Sequence, residues 1–296
     1  MITAQLVKDL REKTGAGMMD CKKALEACEG NMENAVDWLR EKGIAKAQKK
    51  ESRIAAEGLT VAASNDNEAI IFEVNCETDF VTQNDKFHDL IKELRDTLMF
   101  DKCTNIEEAN GVKLKDGKTI AERIVEATAT IGEKISFRRF DRITKADDEV
   151  FGIYSHMGGK ISAVVILKGK DRDVARDVAM QVCAMSPIAV NRDNVPAEMV
   201  EREKEVIKEQ IKNDEKNKGK SDDILDKMAT GRLSKFYKEI CLEEQEFIKD
   251  SSKTVKAYCK DNSCEIKEMY RIAVGEGIEK KEENFAEEVA AQISGS

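Results

Sequence analysis

The middle of this chain predicts the same arrangement of secondary structure twice. The strand-like segments GLTVAAS and EAIIFEVN, separated by an Asn-Asp-Asn turn, predict a β-hairpin, and EVFGIYSH and KISAVVILKG predict a second one around a Gly-Gly turn. An amphipathic helix follows each hairpin, and a further strand closes each copy, KISFRRFDRI in the first and EIKEMYRIAV in the second. We therefore predict an α+β fold with two related subdomains, each a small antiparallel sheet with helices packed on it.

Three short helices are predicted before the first copy. Thr3 and Asn31 are suitable N-caps, and Gly15, Gly30 and Gly43 are predicted to end the helices. The segment AKAQKKESRIAAE then predicts a charged linker helix. A unit this small is only marginally stable alone.

A predicted helical hairpin, about 197–237, interrupts the second copy. Its apolar stripe indicates either a contact with a partner, including a homodimer through residues 197–237, or packing against its own domain. A last amphipathic helix is predicted near 280–293. The predicted division is a three-helix module with its linker at 1–54, a core N-subdomain at 55–145, a core C-subdomain with the hairpin at 146–278, and a C-terminal helical module at 279–296.

Charge and hydropathy argue against several classes of protein. The formal net charge is −9, and an acidic surface repels phosphate backbones, so we expect no direct nucleic-acid binding. No apolar run approaches the roughly 20 residues of a membrane span, so we expect no membrane partner. The beginning, MITAQLVKDLREK, resembles neither a signal peptide nor a transit peptide, and we expect a cytoplasmic protein.

The sequence offers little to an enzyme. We find none of the common nucleotide-binding, zinc-protease or serine-hydrolase motifs, and only two histidines, His88 and His156. The eight cysteines lack zinc-site spacing, so we expect free thiols, no metal and no cofactor. A thiol enzyme with Cys76 as nucleophile and His156 as its base is the enzymatic alternative, although no pattern brings these two residues together.

Two short stretches leave their roles open on physical grounds. In NCETDFV, Phe80 lies seven residues before Phe87, so helical periodicity alone predicts a buried Phe80, with Thr78 and Asp79 as ordinary cap residues. Met18 and Met19 are adjacent, and neighbouring residues on a helix point about 100° apart, so at least one of them is expected to be partly exposed.

The segments TGAGMMDCKKAL and NCETDFV together closely resemble the elongation factor Ts family. YSHMGGKISAVV, DVAMQVCAMSP, GRLSKFYKE and VGEGIEKKEENFAEEVAAQ add to the resemblance, which extends over essentially the whole chain. The resemblance implies a module similar to a ubiquitin-associated (UBA-like) domain, a two-part core, an inserted helical hairpin and a C-terminal module. It also implies a guanine-nucleotide exchange factor for elongation factor Tu, which acts through protein contact and performs no catalysis of its own.

Site residues are implied by the same resemblance. Members of the family insert the TDFV segment into the nucleotide-binding domain of elongation factor Tu and disturb the loops that hold magnesium and GDP. Thr78, Asp79, Phe80 and Val81 match that segment, which implies an exposed Phe80. Met18, Met19 and His156 match further contacts with the partner. The alternative is an adaptor whose UBA-like module binds other proteins without promoting exchange.

Overall fold

The computed structural model describes residues 2–214, 217 and 220–279, and its architecture is α+β, as predicted. The chain begins with helices α1 (Ala4–Thr14), α2 (Met18–Ala27) and α3 (Met32–Gln48). Thr3 Oγ1 accepts the Leu6 N–H and Asn31 Oδ1 accepts the Asn34 N–H, so both predicted N-caps are confirmed. The small core of this three-helix module consists of Val7, Leu10, Cys21, Ala24, Leu25 and Ala35.

The first sheet contains β1 (Glu57–Ser64), β2 (Glu68–Cys76) and β3 (Ser136–Thr144), in the order β1-β2-β3 with antiparallel pairing throughout. Helices α4 (Asp85–Leu98), α5 (Ile106–Gly111) and α6 (Ile120–Ile131) lie between β2 and β3 along the chain. The predicted apolar stripe of α4 is confirmed, since five of its residues are buried: Phe87, Leu90, Ile91, Leu94 and Leu98.

The second sheet repeats this topology. Strands β4 (Glu149–His156) and β5 (Ile161–Lys168) form a hairpin, and helix α7 (Arg172–Met185) follows with its predicted inward valines buried. The remaining elements are α8 (Ala197–Asn213), α9 (Asp222–Ile240), β6 (Glu246–Phe247), β7 (Asp250–Thr254), α10 (Val255–Asp261) and β8 (Glu265–Ala273). The order β4-β5-β8 again places the second hairpin strand in the centre.

The two sheets pack against each other through one face each. Ile71 from the first sheet and Val164 and Ile166 from the second belong to a single buried cluster. The hairpin turn of the second sheet also contacts β1, because the Thr60 N–H donates to Gly159 O at 2.6 Å. The outer faces are covered by helices, α4 and α6 on one side and α7 and α10 on the other.

The inserted hairpin is formed by α8 and α9. Ile207 and Ile211 are buried, while Val206 and Ile224 remain exposed. At its base, Met199, Val200, Tyr237 and Ile240 pack against a small cluster of Ala189, Val195 and Cys241. Part of the stripe therefore packs on its own domain, and part stays exposed.

Two predictions for the N-terminal region were wrong. Gly43 does not end the third helix, which continues to Gln48, and the predicted linker helix is only partly helical. Gly43 is buried where α3 crosses α6, and a Cβ built there would lie 3.1 Å from Ala129 Cβ. This glycine therefore permits a close approach of two helices. The sequence pattern predicts a helix stop at Gly43, whereas the structure gives it a packing role inside the helix.

Other predictions lie beyond the described residues or missed short elements. The helix predicted near 280–293 lies outside the part of the chain that the structure describes. Helices α5 and α10 and strands β6 and β7 were not predicted, since they are too short for periodicity to show. Among residues 2–214, 217 and 220–279, none of the helices has both the length and the apolar character needed to cross a bilayer.

Candidate functional site

The connection from β2 to α4 carries an exposed phenylalanine, Phe80. After Cys76 the chain turns and forms a short 3-10 helix, Val81–Gln83, before Asn84 caps α4. Asn84 Oδ1 accepts the Lys86 N–H at 2.9 Å. Because α4 begins only at Asp85, Phe80 is not part of the helix whose apolar stripe includes Phe87.

The side chains of this connection alternate between exposed and buried in adjacent pairs. Asp79 and Phe80 are exposed, and Phe80 keeps 83% of its accessible surface. Val81 and Thr82 are buried, and Val81 belongs to the same core cluster as Phe87. Thr82 also donates its hydroxyl to Asp79 O at 2.6 Å. The prediction of a buried Phe80 from periodicity is therefore wrong.

Thr78 is held by a glutamate that lies far away in the sequence. Its hydroxyl donates to Glu133 Oε1 at 2.7 Å, and its backbone N–H donates to Glu133 Oε2 at 2.9 Å. Sequence reasoning missed Glu133, which follows the glycine that ends α6 and carries no spacing signal. Thr78 is thus partly buried, and it does not project as Phe80 does.

Cys76 lacks the properties of a nucleophile. It is fully buried, and its thiol donates to Thr78 O. Burial and the nearby carboxylate of Glu133 raise the pKa of Cys76 to about 12, so the reactive thiolate is scarce at neutral pH. Within the described part of the chain, no group of three or more His, Cys, Asp or Glu side chains is placed to hold a metal ion.

His156 lies at the exposed end of β4, where its ring stacks on Tyr154 with centroids 6.1 Å apart. The turn that follows has three residues with positive φ: Met157, Gly158 and Gly159. Met157 is 70% exposed. Sequence reasoning missed this residue, although its position in a glycine-rich turn could have indicated an exposed side chain. The tip of this hairpin therefore presents an imidazole and a flexible thioether side by side.

Met18 and Met19 begin α2, and both are exposed, by 47% and 62%. The turn before α2 contacts the first subdomain, since Lys86 Nζ donates to Gly15 O at 3.0 Å. This contact places the start of α2 beside the start of α4, the helix that follows Phe80.

The hairpin tip with His156 contacts the first sheet beside the end of β2. Lys160 Nζ pairs with Glu57 Oε2 at 2.9 Å, and Glu57 is the β1 residue in register with Cys76.

The exposed pair of Asp79 and Phe80 projects from the surface and does not lie in a cavity of the described structure. Neither Asp79 nor Phe80 lines the wide groove, about 1410 Å³, between the three-helix module and helices α4 and α6.

A comparison with known families identifies the family of this chain. The family model described as elongation factor TS matches residues 77–276, a range that begins within the Phe80 connection and includes both the first subdomain's helices and the whole second sheet. Because the match extends over more than half of the sequence, this chain belongs to the elongation factor Ts family, whose members are nucleotide exchange factors of translation elongation.

Proposed function

We propose that this protein binds elongation factor Tu in its GDP-bound form and promotes GDP release by disturbing the loops that hold magnesium and phosphate. The proposal includes a cytoplasmic site of action and contact through protein surfaces, without nucleic acid. The observation that carries it is the 83% exposure of Phe80. Phe80 and its exposed neighbour Asp79 lie between Thr78 and Val81, and both of these residues are anchored in the fold. A large apolar side chain held out in this way is suited to insertion into a partner.

The insertion has a simple energetic basis. Burying an exposed phenylalanine in a partner contributes about 1.5–3 kcal/mol, and this contribution exists only in the complex. An exchange factor binds the nucleotide-free partner more tightly than the GDP-bound one, and by linkage it weakens GDP binding by the same factor. A weakening of 10⁴-fold needs roughly 5.5 kcal/mol, so one phenylalanine is not sufficient.

The remaining binding free energy must come from other contacts. We propose that Met18 and Met19 on α2 and His156 on the β4–β5 tip contact the partner, since all three are exposed. Asp79, also exposed, is proposed to act electrostatically near the magnesium site, because a bound cation is the largest local charge in a phosphate site. Val81 is proposed to support Phe80 from the core side.

The decisive experiment measures release of a fluorescent GDP analogue from the matching elongation factor Tu. We expect strong acceleration by the wild type and a loss of about 10- to 100-fold for Phe80→Ala, which corresponds to the free energy of burying one phenylalanine. Phe100→Ala is the matched control, because Phe100 is 87% exposed in the same subdomain, just after α4. It should keep wild-type activity.

Other outcomes separate the alternatives. Retained binding without any acceleration by the wild type would contradict exchange and favour an adaptor. Equal losses in Phe80→Ala and Phe100→Ala would show that general surface hydrophobicity matters more than the Phe80 connection. Cys76→Ser should keep full exchange activity, and its complete loss, with the fold intact, would revive the thiol enzyme.

A further inference from the structure

Two glutamates join the connection after β2 to the segment before β3. Glu133 Oε2 accepts the backbone N–H groups of Glu77 and Thr78 at 3.1 and 2.9 Å. In return, Glu77 Oε1 accepts the Lys134 N–H at 2.6 Å. Each side chain therefore binds the backbone of the opposite segment, and the two segments are 55–57 residues apart in sequence. We refer to Glu77 and Glu133 as the carboxylate pair.

The carboxylate pair holds the first half of the Phe80 connection. Hydrogen bonds from backbone N–H groups to a carboxylate are roughly twice as strong as neutral ones, and Glu133 accepts two of them together with the Thr78 hydroxyl. Such bonds compensate backbone groups that β2 pairing no longer satisfies beyond Cys76. Residues 77 and 78 are consequently fixed by Glu133.

The second half of the connection is held independently. Val81 lies in the core, and the Thr82 N–H and hydroxyl both bind Asp79 O. Only Asp79 and Phe80 lie exposed between these two anchors. The carboxylate pair therefore limits the directions in which Phe80 can point, because two residues cannot reorient freely between fixed ends.

A third contact extends the arrangement to the three-helix module. Arg53 lies in the segment that follows α3, and its guanidinium pairs with Glu77 Oε2 at 3.3 Å. Lys134 Nζ donates to the backbone oxygens of Glu51 and Arg53 at 2.6 and 2.9 Å. Glu77 of the carboxylate pair and Lys134, the residue after Glu133, thus also bind the segment that leads from the module.

We propose that Glu133 is a positioning residue for exchange: it preorganises the connection so that Phe80 is already oriented for insertion before the partner arrives. This inference rests on the proposed function. A preorganised contact avoids the loss of conformational freedom that a loose connection would suffer on binding. Glu133 itself acts through Thr78 and Glu77 and needs no contact with the partner.

The test combines an exchange assay with amide hydrogen exchange measured by NMR on the free protein. In Glu133→Ala we expect the acceleration of GDP release to fall about tenfold, since the preorganising hydrogen bonds are lost. The amides of Glu77 and Thr78 should exchange at least about tenfold faster, while those in α7 stay unchanged. Glu133→Gln should recover part of the activity, because the amide oxygen still accepts an N–H and the amide nitrogen can donate to the Thr78 hydroxyl.

Two controls distinguish positioning from a general effect. Glu107→Ala changes net charge equally, lies on α5 in the same subdomain and should keep wild-type exchange. Combining Glu133→Ala with Phe80→Ala should cost less than about twofold beyond Phe80→Ala alone, because residues that act as one unit are not additive.

Three results would overturn the proposal. If Glu133→Ala slowed GDP release by the same factor in the wild-type and Phe80→Ala backgrounds, the role of Glu133 would be independent of Phe80. Unchanged amides at 77 and 78, or faster exchange throughout the sheet, would show that Glu133 does not hold this connection specifically. A wild-type protein without any exchange activity would refute the proposed function and the positioning role together. The first two results would refute only the positioning role, because the wild type would still promote exchange.

Discussion

The two copies of the core differ where the central strand leads into the following helix. In the second copy, β5 ends at Lys168, and Asp171 already caps α7 by accepting the N–H groups of Asp173 and Val174. In the first copy, the segment from Glu77 to Asn84 separates β2 from α4 and exposes Phe80. The same topology therefore serves as a scaffold in both copies, and the longer connection in the first adds a projecting side chain.

Packing at the two helices differs in a corresponding way. Helix α7 lies so close to β4 that a Cβ at Gly152 would be 1.9 Å from Ala175 O. Helix α4 packs through side chains instead, with Phe87 fully buried in the first core.

The largest expected effect is a contrast between two phenylalanines of the first copy. Phe87→Ala should lower the free energy of unfolding by about 3–5 kcal/mol, because it empties a fully buried site. Phe80→Ala should change it by less than about 0.5 kcal/mol, because its side chain is exposed in the free protein. Denaturant unfolding of both variants tests this contrast, and a large loss for Phe80→Ala would place Phe80 in the core.

The second prediction concerns the close contact in the second copy. Gly152→Ala should cost about 3 kcal/mol, since the new methyl group meets the backbone of α7 and the helix must move. The matched control is Gly231→Ala on α9, where no atom lies within 4 Å of the added Cβ, and stability should rise by up to about 1 kcal/mol. Chemical denaturation measures both, and a neutral Gly152→Ala would contradict the close packing of α7 on β4.

These examples also show which features a sequence predicts. The hairpins, the α4 stripe and the caps at Thr3 and Asn31 depend on local patterns, and all were predicted. The exposure of Phe80 contradicts its helical spacing, because a 3-10 turn and the Asn84 cap intervene before α4 begins. Glu133 and Gly43 act through partners 55 and more residues away, at Thr78 and Ala129, and no local pattern encodes such pairs.

A third prediction compares the two helix caps directly. Asp171→Ala and Asn84→Ala each remove a side chain that accepts N–H groups at a helix start, so each should cost about 1 kcal/mol of stability. Their effects on GDP release should differ, because only Asn84 ends the connection that carries Phe80. Under the proposed function, Asn84→Ala slows exchange and Asp171→Ala does not. Thermal unfolding and the exchange assay together test this, and equal effects in both assays would argue against a special role for the first connection.

The smallest expected effect concerns acid stability at the start of the central strands. The second sheet's central strand begins with Ile161, whereas the first begins with Glu68, which pairs with Lys102 at 2.7 Å and Arg142 at 3.1 Å. The hydrogen bond and charge of Lys102, together with Arg142, hold the pKa of Glu68 below its usual value. A carboxylate with a lowered pKa in the folded state contributes stability above its unfolded pKa of about 4.3, and this contribution is lost as the pH falls through the folded value.

Glu68→Gln should therefore destabilise the protein by less than about 1 kcal/mol at neutral pH, as expected for a partly exposed ion pair. The difference from wild type should shrink as the pH falls from about 5 toward 3, because the wild-type carboxylate becomes protonated there. Denaturant unfolding at several pH values measures this difference. In a Lys102→Met background, which removes the largest cause of the lowered pKa, the pH dependence should be weaker. A difference that stays constant from neutral to acidic pH would mean that Glu68 stabilises the first sheet through packing alone, as Ile161 does in the second.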